Sequence, residues 1–295
     1  MTRPTPIRGL GPDSSLGEAA RLSLAGRLAD VHTHEARLRQ GHDADTVHDL
    51  RVATRRLRAA LHVFRSLGRM KTLEREVKRF QDALGQVRDL HVQAAWLDSA
   101  THEQQPHVQR DITALRDTHL SDQEARSQQL SREVQRWHRC TAPRLRSRLK
   151  DVKDSHRFIS RPIRQQLRKR LRRVDQSMAH YAKAHDPTTA HTLRKELKKL
   201  RYEIELLQPA RPMPDTALQV MEQLQDGLGA LHDTDVRMEL LEHDAAQGTP
   251  PERRAAQALL PRVREEHETD AAQVARALRR WHSGALPQTL HDVLT

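Results

Sequence analysis

Cysteine, aromatic side chains and long apolar runs are all scarce in this chain of 295 residues. Cys140 is the one cysteine, which excludes an intrachain disulfide and a zinc site built from several cysteines. Phenylalanine, tryptophan and tyrosine together make up 3% of the residues, which argues against a series of stacking platforms for bases. No stretch approaches the roughly 20 apolar residues that span a membrane. We therefore expect a soluble, cytoplasmic protein that does not contact a membrane.

Residues that favour helices dominate the composition, and strand-like alternation of apolar and polar residues is hard to find. The spacing of apolar residues, together with the positions of proline and glycine, predicts eight helices. They are expected near residues 15–40, 45–67, 70–99, 103–138, 156–184, 188–208, 214–245 and 252–283. We predict an all-α fold in which each half of the chain forms a four-helix bundle and the two bundles are pseudo-symmetric.

The expected domain boundaries follow from the same pattern. Residues 1–12 contain several prolines and glycines and are expected to be disordered. One duplicated domain is expected at 13–285, with its first half at 13–142 and its second half at 156–285. Residues 286–295 are expected to form a C-terminal tail.

A basic helix occurs twice in the sequence, and the second copy follows the first by 143 positions. The first copy runs from His48 to Arg58 and the second from His191 to Arg201. The basic positions of the first copy are His48, Arg51, Arg55, Arg56 and Arg58, and they coincide with His191, Arg194, Lys198, Lys199 and Arg201 of the second. Positive charge is thus repeated even where residue identity is not, which indicates a duplicated unit of two or more helices.

The charge pattern of this helix favours an anionic partner. The chain has a formal net charge of +12, and between residues 47 and 67 the only acid is Asp49. The like charges therefore repel one another, at a cost that an anionic ligand could offset. Leu50, Leu57, Leu61 and Phe64 share one face of the helix, and the basic band beside them extends from His48 to Arg65. At 1.5 Å per residue the band is about 26 Å long, which suits a linear polyanion.

The predicted starts of the two basic helices also favour anions. Asp43 or Asp45 can cap the first helix, and Asp186 followed by Pro187 is typical of the start of the second. His48 and His191 then lie near helix N-termini, where exposed amides and the helix dipole attract negative charge. A further basic stripe on the preceding predicted helix contains Arg161, Arg164, Arg168 and Arg172, so two neighbouring helices could line one groove. Arginine supplies planar paired donors suited to phosphate oxygens.

The two basic motifs resemble those of the CHAD family, the conserved histidine α-helical domains. The segments from Leu84 to Asp89 and from Leu228 to Asp233 resemble a later motif of the same family. The resemblance implies one duplicated CHAD domain that binds inorganic polyphosphate without a reaction of its own, often at polyphosphate granules. The implied phosphate contacts are His48, Arg51, Arg55, Arg56, Arg58 and Arg88 from the first half, and His191, Arg194, Lys198, Lys199 and Arg201 from the second. Arg164 and Arg168 are added from the stripe described above.

Other residues of these motifs are given supporting roles. Asp89 and Asp233 are expected to orient neighbouring cations, because a carboxylate would repel a phosphate chain. Tyr202 is expected to pack or to form a hydrogen bond. Two departures from the repeat predict unequal binding by the halves. His232 stands where the first half has Arg88, and the second basic stripe contains Glu196, Glu203 and Glu205.

Nucleic-acid binding is the main alternative, because release of counterions would drive any phosphate chain onto these stripes. We expect at most weak, nonspecific nucleic-acid binding. His-Asp pairs such as His48-Asp49 are similar to those of the helical metal phosphohydrolases called HD proteins. However, Asp49 becomes Thr192 in the second copy while the basic positions persist. We therefore predict a protein that is not an enzyme, with no catalytic residues, metal ligands or cofactor. A scaffold function stays open, and the sequence identifies no protein partner.

Overall fold

The structure is a computed structural model, and it describes residues 5–38, 41, 43–67, 70–102, 104–152, 161–210, 212–283, 288–290 and 292. These residues are predominantly helical and contain no β-strand, which confirms the all-α prediction. The helices are α1 (Leu16–Leu38), α2 (Ala44–Val63), α3 (Met70–His102), α4 (Pro106–His119), α5 (Gln123–Arg136), α6 (Ala142–Lys150), α7 (Arg161–Ala184), α8 (Pro187–Leu207), α9 (Asp215–Gln247) and α10 (Pro250–Ser283). In this part of the chain no helix is both long enough and apolar enough to cross a bilayer.

The fourth helix predicted for the first half, at 103–138, is wrong as a single element. It is divided into α4 and α5, and a π-helical segment at Trp137–Thr141 leads into α6. The break lies at Leu120, whose backbone N–H donates to the carbonyl of Arg116, and the serine and aspartate that follow favour a turn. The corresponding helix of the second half, α10, continues without interruption through Pro261.

The apolar faces predicted for the repeated helices are confirmed. Leu50, Leu57, Leu61 and Phe64 of α2 are buried, and so are Leu193, Leu200, Ile204 and Leu207 of α8. These residues belong to one apolar core that is continuous across both halves of the chain. At roughly 2 kcal/mol for each fully buried leucine, this burial fixes which face of each helix is left for charge. The helices α2 and α8 pack against each other at this core.

A second, smaller core joins the far ends of the long helices. It contains Leu97 of α3, Ile112 and Leu115 of α4, Leu241 of α9 and Leu259 of α10. The first-half helix α4 therefore packs against α10 of the second half as well as against α3. The two halves of the chain thus pack against each other at this end of the molecule.

The segment at 1–12 was expected to be disordered, and the structure corrects this for residues 5–12. Ile7 and Leu10 are buried in the main core, and the Arg27 Nη1 atom donates a hydrogen bond of 3.0 Å to the carbonyl of Thr5. Two apolar side chains between the prolines thus anchor the segment on α1. In the predicted C-terminal tail, Leu290 is also buried in this core.

Candidate anion-binding site

Both basic helices begin as predicted. The Asp43 carboxylate caps α2 by accepting hydrogen bonds from the backbone amides of Thr46 (2.9 Å) and Asp45 (3.1 Å). Asp186 caps α8 in the same way, accepting from the Thr189 amide at 2.9 Å. Hydrogen bonds from Thr46 and from Thr189 hold the pKa values of Asp43 and Asp186, respectively, below their usual range. His48 and His191 are therefore the fifth residues of their helices, close to the N-termini.

Arg51 and Arg194, which are equivalent in the repeat, come together where α2 packs against α8. Both side chains are half-buried. Burial lowers the pKa of Arg51 to about 10, with help from the positive charges of Arg55 and Arg194. Burial and the charge of Arg55 also lower the pKa of Arg194. Guanidinium groups from the two halves thus lie within electrostatic range of one another.

The Nε atoms of Arg51 and Arg194 are buried, and neither has a hydrogen-bond partner among the residues that the structure describes. An unsatisfied buried donor costs about 1 to 3 kcal/mol, and a hydrogen-bond acceptor beside either atom would remove that cost. Space beside Arg51 is provided by Gly85 of α3. A Cβ atom at this position would lie 3.7 Å from the Arg51 Nε atom.

Lys198 adds a further cation from α8. Its side chain is half-buried, and burial lowers its pKa to about 6, with the charges of Arg194, Arg55 and Arg51 acting in the same direction. Three neighbouring guanidinium groups therefore make a charged ammonium group unfavourable in the absence of an anion.

Histidines from both halves of the chain lie close to these cations. The His191 and His232 rings are 4.8 Å apart and tilted by 37°. The pKa of His232 falls to about 4, chiefly through burial and then through the charge of Arg194. In the first half, burial and the charge of Arg88 lower the pKa of His48. Arg88 itself donates a hydrogen bond of 3.3 Å to the carbonyl of Ala44 in the first turn of α2.

Two aspartates lie among these cations. Asp89 is within electrostatic range of both Arg51 and Arg194, and Asp233 is within range of Arg194 and Lys198. Burial raises the pKa of Asp233 in spite of these positive neighbours. Tyr202 is buried close to the same two arginines. These contacts fit the supporting roles predicted for the three residues and leave positive charge in excess.

We call the resulting group the central cluster. It consists of His48, Arg51, Arg55, Arg88, His191, Arg194, Lys198 and His232. Seven of these residues were predicted from the sequence as phosphate contacts. His232 was identified only as the counterpart of Arg88, although the repeat already placed it at this position. Lys195 also acts electrostatically on His191 and His232, but its equivalent in the first copy is Val52, so the repeat gave no signal for it.

Four predicted residues are instead engaged by acidic side chains. Arg56 is buried, and its Nε atom donates to Glu205 at 2.9 Å. Arg58 lies 3.9 Å from Glu74, and Lys199 forms an ion pair with Glu196. Arg201 donates to Gln225 at 2.7 Å and to Glu222 at 3.2 Å. Nearby carboxylates thus already supply acceptors to these four residues, and their contact with phosphate stays a prediction.

A buried arginine that the sequence analysis missed belongs to the same set of ion pairs. Arg170 of α7 donates to Glu196 at 2.6 Å and, through two nitrogens, to Glu203 at 3.2 Å. We call Arg56, Arg170, Lys199 and Arg201, with Glu196, Glu203, Glu205 and Glu222, the ion-pair network. The predicted residues Arg164 and Arg168 are half-buried on α7, which packs against α8. Their contact with a ligand stays a prediction.

Known proteins share the sequence pattern and the fold of this chain. A model of the CHAD domain matches residues 23–242. The crystal structure of the CHAD domain from the plant Ricinus communis is similar over 93% of this chain and 95% of its own length, with a TM-score of 0.69 and 22% identity. The structure of PptA from Streptomyces chartreusis is similar over 90% and 100%, with a TM-score of 0.68 and 17% identity. No curated protein matches the sequence. Since the domain model covers most of the chain and the solved structures share its fold, the protein belongs to the CHAD domain family.

Proposed function

We propose that this protein binds inorganic polyphosphate at the central cluster and does not transform it. The observation that carries the proposal is the meeting of Arg51 and Arg194 between the two halves, with both Nε atoms buried and without a partner in the described part of the chain. Guanidinium groups are suited to paired hydrogen bonds with phosphate oxygens. A phosphate chain lying across α2 and α8 would contact both copies of the repeat.

The electrostatic cost of placing these cations together supports this function. Arg51, Arg55, Arg194 and Lys198 lie within range of one another, and each disfavours charge on its neighbours. Asp89 and Asp233 offset only part of this repulsion. A polyanion would supply the missing negative charge and would accept hydrogen bonds from the unpaired donors, so ligand binding recovers free energy that folding alone does not.

The aromatic side chains favour a bare phosphate chain over a single-stranded nucleic acid. Phe64, Phe80, Trp137 and Trp281 are fully buried. Trp96 is half-buried beneath Arg237, whose guanidinium carbon is 5.0 Å from the indole centre. None of these five rings is placed as an exposed platform on which a base could stack. Polyphosphate needs no such platform.

The test is calorimetric titration with long-chain polyphosphate, compared with single-stranded and double-stranded DNA at equal phosphate concentration. Each titration is repeated over a salt series. We expect polyphosphate to stay bound at salt concentrations where DNA is released, because a shaped set of donors adds to counterion release. Equal affinities and equal salt slopes would assign the surface to general polyanion binding and place nonspecific nucleic-acid binding first.

A pair of variants locates the site. Arg51→Glu with Arg194→Glu should weaken polyphosphate binding by about 100-fold or more, since at least two charge-assisted contacts of about 1.5 kcal/mol each are lost and repulsion is added. Arg253→Glu with Arg276→Glu makes the same change in net charge at two exposed positions of α10. This control should lose only a small part of the affinity. Equal losses in the two variants, with circular dichroism unchanged, would contradict the assignment to the central cluster.

A further inference from the structure

The helices α1 and α7 are equivalent in the repeat, which relates them by the same offset of 143 positions as α2 and α8. Their apolar positions coincide, and the side chains at these positions are buried in the main core. The residues are Leu24, Leu28 and Val31 in α1, and Leu167, Leu171 and Val174 in α7. The core therefore requires the same apolar face from both helices.

The outer faces of α1 and α7 differ in charge. Three exposed positions of α7 are basic, and the equivalent positions of α1 are not. The residues are Lys169, Arg172 and Arg173 in α7, and Gly26, Ala29 and Asp30 in α1. No acid occurs between residues 161 and 174, and the three cations form no ion pair within the described part of the chain. Like charges three or four positions apart destabilise a helix, so neither core packing nor helix formation accounts for them.

These cations begin a longer exposed surface, which we call the outer α7 face. It consists of Lys169, Arg172, Arg173, His180 and Lys183, all of them exposed. At 100° per residue the five side chains lie within a sector of about 100°, and at 1.5 Å per residue they span about 21 Å. Asp175 is rotated about 60° away from this sector and is within electrostatic range of His282 of α10. A cationic surface of this length suits a linear polyanion.

The outer surface of α8 connects the central cluster to the outer α7 face. Lys198 faces the cluster, and Glu196 faces α7, where it accepts a hydrogen bond of 2.6 Å from Arg170. Between these two directions, α8 exposes Lys195 and Lys199. Lys195 acts electrostatically on two histidines of the cluster. Glu196 is paired with Arg170 and Lys199, so its charge is balanced along this route.

We propose that the outer α7 face binds a second segment of the polyphosphate chain whose first segment lies at the central cluster. The inference rests on the proposed function, because the chain reaches α7 from the cluster. Charge complementarity and the connection across Lys195 carry it. Since α7 packs mainly against α8, its outer face is open to a ligand. A short chain fills only the cluster, whereas a long chain gains contacts on α7.

The experiment compares tripolyphosphate with long-chain polyphosphate by calorimetric titration of the full chain. The α7 variant combines Lys169→Gln, Arg172→Gln and Arg173→Gln. Its affinity for the long chain should fall by about tenfold, because three surface cations no longer contact phosphate. The salt slope for the long chain should become shallower by about two, at roughly 0.7 for each lost contact. Affinity for tripolyphosphate should stay within about twofold, since this ligand does not reach α7.

A matched control removes the same side chains from α3. Lys71→Gln, Arg75→Gln and Arg79→Gln also replace one exposed lysine and two exposed arginines, but Glu74 and Glu76 lie among them. This control should lose less than about twofold in affinity for the long chain. With protein in excess, the number of phosphate units covered by each protein molecule should fall in the α7 variant and stay unchanged in the control. Circular dichroism should be unchanged in both, because all six side chains are exposed.

Three results would overturn the inference. Equal losses in the α7 variant and the α3 control would assign the effect to net charge. A loss of the same size for tripolyphosphate and for the long chain would show that α7 does not hold a separate segment. A loss for DNA but not for polyphosphate would assign the outer α7 face to nucleic acid. The proposed function is tested separately, because tight binding of tripolyphosphate that depends on Arg51 and Arg194 would retain it whatever the α7 variant does.

Discussion

The central cluster and the ion-pair network contain the same kinds of side chain and share helix α8, yet their charges are balanced differently. Arg194 and Lys198 lie among other cations, and the Arg194 Nε atom has no partner in the described part of the chain. Lys199 and Arg201, a few residues further along, each meet an acidic side chain. Basic residues therefore indicate a ligand site only where the protein does not itself supply the acceptors.

The acids that balance the network are specific to the second copy of the repeat. Glu196, Glu203 and Glu205 correspond to Ala53, Ala60 and His62 of the first copy. Glu205 reaches across to Arg56 of the first half, and Glu203 accepts from Arg170. The halves thus differ because the second one carries these acids, of which Glu205 forms an ion pair with the first half and Glu203 forms one within its own half. This difference leaves the central cluster intact.

The largest loss of folding stability is expected from a substitution in the ion-pair network. Arg170→Met leaves Glu203, which is 1% exposed, without its main partner and should lower the free energy of unfolding by about 3 kcal/mol or more. Urea denaturation measures the loss. Arg170→Met combined with Glu203→Met removes both charges and should recover much of the stability. A single variant as stable as the unmodified protein would contradict the structural role of the pair.

The matched substitution in the central cluster is Arg194→Met. It removes a cation from among other cations, so the free energy of unfolding without ligand should stay within about 1 kcal/mol of the unmodified value or increase. Polyphosphate affinity should nevertheless fall by about tenfold, as expected from one lost charge-assisted contact. Arg170→Met, measured where it is still folded, should retain its affinity within about twofold. The opposite outcome would mean that the two groups have been assigned the wrong roles.

Lys198 and Lys199 are adjacent, yet the first belongs to the central cluster and the second to the ion-pair network. Lys198→Gln should reduce polyphosphate affinity by about tenfold, because the cluster loses an amine that donates hydrogen bonds and that an adjacent phosphate would hold in its charged form. Lys199→Gln makes the same chemical change at an exposed ion pair and should alter affinity by less than about twofold. Calorimetric titration at constant salt measures both. Similar losses would indicate that net charge, not position, controls binding.

The helix caps and the apolar faces could be predicted from the sequence. Which basic residues belong to the central cluster and which to the ion-pair network could not. Asp43 and Asp186 act through amides two or three residues away, and the apolar faces of α2 and α8 follow from helical periodicity. Whether Arg56 or Arg55 is free for a ligand depends on which residues of α8 lie opposite, which no spacing within α2 reveals. Arg51 and Arg194 could be predicted because both copies of the repeat have an arginine at this position.

Arg170 and the break after α4 show two other limits of the sequence. Arg170 was one of several arginines on α7, and only burial beside Glu196 and Glu203 distinguishes it from them. The break at Leu120 has only the weak turn signal of the serine and aspartate that follow it, and α4 before it packs against α10 of the second half. Both features involve contacts between residues far apart in sequence, which spacing within one helix does not reveal.

Polyphosphate binding is expected to depend on pH. Lys198 is mostly neutral in the free protein above about pH 6, and an adjacent phosphate raises its pKa, so binding should take up protons. Affinity should therefore increase as pH falls, by about threefold to fivefold from pH 7.5 to 6.5, if less than one proton is taken up. Titration in buffers with different ionisation enthalpies counts the protons. Lys198→Arg carries a permanent charge and should take up fewer of them, whereas unchanged uptake would assign the protons to histidines such as His232.

The smallest effect on polyphosphate affinity is expected at two equivalent glycines, Gly85 and Gly229, which differ in how close their neighbours lie. Gly85 lies beside Arg51, and a Cβ atom there would be 3.7 Å from the Arg51 Nε atom and 3.9 Å from Nη2. Its equivalent in the repeat, Gly229, has no such neighbour within 4 Å among the described residues. Both glycines lie within helices, so alanine should stabilise each variant by up to about 1 kcal/mol. Gly85→Ala should also lower polyphosphate affinity by about twofold, because the methyl group restricts the Arg51 guanidinium and covers part of its Nε atom. Gly229→Ala is the control and should leave polyphosphate affinity unchanged. Equal affinities in the two variants would mean that the ligand does not use this edge of Arg51.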